Sequence, residues 1–114
     1  MSYKDLVIIN NEKISEKEKV FFCDNVDIKS ISENLGKNFN LSLIARSTKI
    51  NRKHEIKLEN IKNLSNIFSF FYNIFKTFKK HDAIYLIISI TPYTFFSYIF
   101  LFLFRRKIFV YLMV

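Results

Sequence analysis

The sequence predicts an α/β domain, an open and mostly parallel sheet with helices on both faces, and three observations lead there. Half of the 114 residues are hydrophobic, enough for a core, and one Gly and one Pro are too few for the tight turns of an all-β protein. Uninterrupted apolar runs of strand length recur along the chain, as in strands buried on both faces. Between them stand segments whose apolar residues repeat every three or four positions, so strand–helix–strand units follow, with parallel pairing.

The first run, Leu6, Val7, Ile8 and Ile9 within residues 5–10, is expected to be the central strand. Residues 10–19 are polar without periodicity and read as a loop, after which Val20 to Cys23 return to the core. Asp24 and Asn25 can accept backbone N–H bonds at a helix start, and Ile28, Ile31 and Leu35 keep helical spacing up to Gly36, which is placed to stop it. Residues 41–45 form a second strand. Alternation in 54–59 suggests a short strand near a sheet edge. Ile61, Leu64, Phe68, Phe71, Phe75 and Phe78 predict a long helix with Phe71 and Phe75 against the sheet. Residues 83–89 are a further buried strand. Thr91 then caps a helix with Pro92 in its first position, running to the cations Arg105, Arg106 and Lys107, which suit a helix C-terminus. A last strand fills 108–114. The order expected across the sheet is third, second, first, fourth, fifth.

The net charge of +8 raises the question of nucleic acid, but the basic residues fall in short groups without interleaved exposed aromatics. No nucleic-acid partner is expected, since a basic balance alone supplies only sequence-independent attraction. Cys23 is single, so it forms no internal disulfide and reads as a small buried residue beside Phe21 and Phe22. Its isolation and the lack of a signal-peptide pattern in residues 1–10 favour the cytoplasm.

Residues 83–104 carry no formal charge and are about as long as a bilayer span, so a small single-span membrane protein without catalysis is the rival reading. Pro92 and the hydroxyls between Ser89 and Thr94 divide that stretch into two pieces, each short for a span.

Catalytic patterns are sparse. There is no Gly-rich phosphate loop, no metal-ligand spacing and no evident nucleophile; His54 and His81 lie beside charged residues and read as surface positions. No catalytic residue, metal or cofactor is assigned. The opening strand, Phe22-Cys23-Asp24-Asn25-Val26-Asp27, the strand Ser42 to Arg46, and Thr91-Pro92-Tyr93-Thr94-Phe95-Phe96-Ser97-Tyr98 followed by Lys107 to Leu112 resemble the amino-terminal domain of bacterial group 1 (family 4) glycosyltransferases.

That resemblance implies a Rossmann-like, acceptor-side half of a GT-B enzyme occupying residues 1–114, truncated before the donor-binding half and therefore inactive alone. It implies partners in the full-length enzyme: a nucleotide-sugar donor and a cell-surface polysaccharide or lipid-linked acceptor. The chain departs from the family's Gly-rich first turn, having Asn10-Asn11-Glu12 there.

Candidate binding residues follow from the carboxyl edge of the expected sheet: Asn11, Asp24 and Asn25, then Arg46 and Ser47, then Thr91 and Tyr93. The helix after Pro92 has apolar residues all round, more than one sheet contact needs, and Arg105, Arg106 and Lys107 beside it favour an anionic membrane surface as a further contact.

Overall fold

Strand β1 (Asp5–Lys17) carries Val7, Ile8 and Ile9 near its start, β-branched side chains stiff at χ1 and suited to a pleated surface, and Leu6 to Asn10 are all buried in a computed structural model that describes residues 4–80, 82–89 and 91–111. Leu6 and Ile8 face one apolar cluster, whereas Val7 and Ile9 face the other. A strand in that position has cores on both sides. Each such side chain contributes about 1.5–3 kcal/mol on burial.

The other elements are β2 (Val20–Cys23), α1 (Val26–Leu35), β3 (Asn40–Ser47), β4 (His54–Ile56), β5 (Ile61–Leu64), α2 (Ile67–Lys76), β6 (Ile84–Ile88), α3 (Pro92–Leu103) and β7 (Lys107–Tyr111). Five strands pair in parallel in the order β5-β3-β1-β6-β7. Helix α1 packs on one face through Ile28, Ile31 and Leu35; α2 and α3 pack on the other through Phe70, Ile74 and Leu101. The chain is thus a mixed α/β fold with β1 central between β3 and β6 as expected, while the strand beyond β3 is not the one expected.

Two strand assignments are corrected. Residues 10–19 are not a loop: β1 continues through an irregularity between Ile9 and Lys13 and turns into an antiparallel hairpin with β2. The two turn residues, Glu18 and Lys19, both have positive φ, 54° and 65°. That turn type ordinarily advertises itself by Asn-Gly, which is missing here. The third parallel strand is β5, while the alternating segment expected in that place supplies β4, at the edge of the antiparallel extension beside β2.

Pairing of residues 61–64 with β3 also resets α2. Its cap is Asn66, whose Oδ1 accepts from the Ser69 N–H at 2.8 Å, so helical phase starts later than the spacing from Ile61 suggests. Phe70 and Ile74 are buried as a result. Phe75, expected inside, is 52% exposed, and Phe71 is half-buried.

Two caps follow the expected chemistry. Asn25 Oδ1 accepts from the N–H groups of Asp27 and Ile28. Thr91 and Thr94 form a reciprocal box over the start of α3, with Pro92 next to it. Gly36 is a C-cap in ordinary helical conformation, and its value is room: an added Cβ would meet Leu58 Cδ2 at 3.0 Å.

Helix α3 stops at Leu103 rather than at Lys107. Arg105 takes φ 56°, and the N–H groups of Arg105 and Arg106 return to the carbonyls of Phe102 and Leu101. This is a Schellman ending with Arg where Gly is usual.

Residues 83–104 therefore hold a strand and a separate helix, and no helix among the described residues is long and apolar enough to cross a membrane. The single-span reading of that stretch is withdrawn. His81 and residues 112–114, the end of the last expected strand, lie outside the described residues.

Candidate functional site

Parallel strands end together, and helices that leave them in opposite directions open a crevice at their carboxyl ends. Here that happens between β1, from which the chain reaches α1 on one face by way of the β2 hairpin, and β6, whose following helix α3 covers the other. A cleft of about 380 Å³ lies there, lined by Asn10, Asn11, Glu12, Asn25, Ser89 and Thr91, with Asp27, Ile28 and Ile88. A larger depression, about 670 Å³, lies at the other end of β3 around Gly36, Lys37, Asn40 and Asn60. Its Glu33 is already committed to the Lys29 ammonium at 2.6 Å and to the Lys57 N–H. The smaller cleft has the better chemistry.

Asn10 is buried; its Nδ2 donates to the Ile44 carbonyl and its Oδ1 accepts from the Glu12 N–H at 2.8 Å. This local bond turns the chain where β1 becomes irregular. It sets Asn11 with a buried Oδ1 that finds no hydrogen-bond partner among the described residues. An unpaired buried acceptor costs about 1–3 kcal/mol.

Glu12 is the residue that sequence reasoning missed. Partial burial pushes its carboxyl above the usual carboxylate range, against the charge of Arg52, while Asp24 adds repulsion and Asn25 a hydrogen bond to the ionised form. An acid in the segment after the first apolar run was the available signal, but its burial and its neighbours Asp24, Asn25 and Arg52 are set by the fold.

Ser89 adds backbone strain. It holds φ 63° at the end of β6, fixed by its N–H on the Tyr111 carbonyl and its own carbonyl under the Thr94 hydroxyl. Such a conformation persists in a non-Gly residue only where neighbours over-determine it.

The seven residues expected at this edge divide. Asn11, Asn25 and Thr91 line the cleft. Asp24 is instead an exposed partner of Arg52 at 2.7 Å and accepts the Lys53 N–H, holding the segment before β4 against β2; these two bonds keep its carboxyl below the usual range. Arg46 and Tyr93 meet on the face carrying α2 and α3, the guanidinium 4.5 Å over the ring, and Tyr93 packs edge-on against Phe70. Ser47 pairs with Ile14 at the end of β3. Asp24, Arg46, Ser47 and Tyr93 are thus outside the cleft: Asp24 is held by Arg52 and Lys53, Arg46 and Tyr93 by each other, and Ser47 lies at the end of β3.

The three cations after α3 also divide. Arg105 and Lys107 are exposed, but Arg106 turns inward, donating to the Phe78 carbonyl and stacking 4.4 Å over its ring. Cys23 is fully buried, donates to the Asn25 carbonyl, and has its thiol pushed up by burial, the surroundings of a packing residue.

The cleft is poorly suited to phosphate. The start of α1 spends its N–H groups on its own cap and carries Asp27 in the first turn, and no Lys or Arg lines the cleft among the described residues. Nor do the described residues bring three or more His, Cys, Asp or Glu together as metal ligands. Carboxamides, hydroxyls and acids at one crevice suit a neutral, hydroxyl-rich ligand. No protein-family model matches the chain, and comparison with curated proteins and with solved structures likewise gives no match.

Proposed function

We propose that this chain is the acceptor-binding side of a sugar-transferring enzyme: a Rossmann-like amino-terminal domain of the GT-B type, acting with a nucleotide-sugar donor on a polysaccharide or lipid-linked acceptor. The cleft at the carboxyl ends of β1 and β6 carries the reading, because its lining offers acceptors and donors for hydroxyl groups and, among the described residues, no cation for a diphosphate. The Glu12 carboxylate accepts from one acceptor hydroxyl, with the Asn11 and Asn25 side chains lining the cleft beside it. Stabilising the departing diphosphate requires cations or backbone donors aimed at it, which a second domain would supply.

Titration of the isotope-labelled chain with short glucan oligosaccharides and N-acetylglucosaminides, followed by amide shifts, tests this. Shifts are expected at Asn11, Glu12, Asn25, Ser89 and Thr91, and Asn11→Ala is expected to weaken binding about tenfold. UDP-glucose is expected to show no turnover with the chain alone. Shifts confined to the depression around Gly36 and Asn40, or turnover by the chain alone, would sink the assignment.

A further inference from the structure

The outer face of α2 and α3 is covered by nothing else in the described chain. Phe68 is 83% exposed, Leu103 71% and Phe102 64%, although Phe70, Ile74 and Leu101 already fill the contact of these helices with the sheet. Between the helices runs an apolar groove of about 490 Å³ lined by Ile67, Phe71, Phe96, Ile99, Phe100 and Leu103. A soluble surface seldom carries so continuous an apolar patch without a partner.

Charge identifies the partner. Beyond residue 60 the chain has seven cations against one acid, Asp82, and neither helix contains an acid. Lys76, Lys79, Arg105 and Lys107 are exposed where the helices finish, ends held together by ring contacts of Phe104 with Phe75 and Phe78. The Lys76 ammonium lies 5.0 Å over the Tyr72 ring, an apolar stem and charged head side by side. Hydrocarbon beneath an anionic surface complements such a face. A second copy would instead set two net-positive faces together.

We propose that the α2–α3 face docks on an anionic phospholipid bilayer, with both helices lying in the interface and the groove admitting an acyl chain. At 12 residues α3 is about 18 Å long, too short to span. The inference stands apart from the sugar-transfer reading.

Co-sedimentation of the 114-residue chain with vesicles of phosphatidylcholine, alone or mixed with phosphatidylglycerol, tests it. Binding to the mixed vesicles is expected to be at least about tenfold tighter, and the triple variant Lys76→Gln, Lys79→Gln, Arg105→Gln to lose about a hundredfold there. Phe68→Ser with Phe102→Ser is expected to weaken binding to both vesicle types, circular dichroism confirming the fold; the charge variant carries the test if that pair unfolds. No preference for anionic vesicles, or wild-type binding by both variants, would overturn the proposal. So would a dimer in sedimentation velocity that the Phe pair dissolves while the wild type ignores vesicles.

Discussion

Glu12 shows how a single side chain acquires its chemistry from distant neighbours. Its folded pKa is raised, mainly by burial, so the folded state keeps its proton in a range where the unfolded chain has lost it. Stability from this group therefore falls as pH rises from the ordinary glutamate value, about 4.3, through the raised one. Asp24 works the other way: its carboxyl is depressed by the Arg52 and Lys53 hydrogen bonds, so its contribution is present above the ordinary aspartate value and lost as pH falls through the depressed one. Glu12→Gln is expected to stabilise the fold at pH 7, with the advantage shrinking toward pH 4. Urea midpoints across that range measure it, and a gain independent of pH would refute the burial of Glu12. At this scale the caps Asn25 and Thr91 were legible, because capping bonds reach only two or three residues. The stacking of Arg46 on Tyr93 was not, since the two are brought together only by the sheet and α3.

Helix α2 separates period from phase at the scale of an element. Its sequence shows that a helix exists, yet the first apolar residues of the pattern, Ile61 and Leu64, belong to β5, and the buried line shifts to Phe70 and Ile74. Phe70→Ala is expected to cost about 3–5 kcal/mol, as for a fully packed aromatic ring. Phe75→Ala, on the exposed side, is expected to cost under about 1.5 kcal/mol, reflecting only its ring contacts with Phe78, Phe100 and Phe104. Chemical denaturation of both variants checks this; equal losses would mean that the helix is rotated from the described phase.

For the whole molecule, the position of β1 between β3 and β6 places its amides under two layers of helix and two neighbouring strands. Hydrogen exchange is expected to be slowest at Leu6 to Ile9 and at Leu43 and Ile44, opening only with global unfolding, and fast in the edge strands β4 and β7. Early exchange of Leu6 to Ile9 would contradict a central β1. The α/β class, the continuous apolar first strand and the start of α3 were determined by the sequence itself, since continuous apolar runs, periodicity and capping are written within a few neighbouring residues. Only the tertiary structure decided that residues 10–23 form a hairpin, that β5 rather than β4 joins the parallel sheet, and that Arg106 turns inward while Arg105 and Lys107 stay in solvent. These outcomes rest on hydrogen-bond registers and burial shared by residues far apart in the chain, and no local pattern of side chains encodes a register with a distant partner.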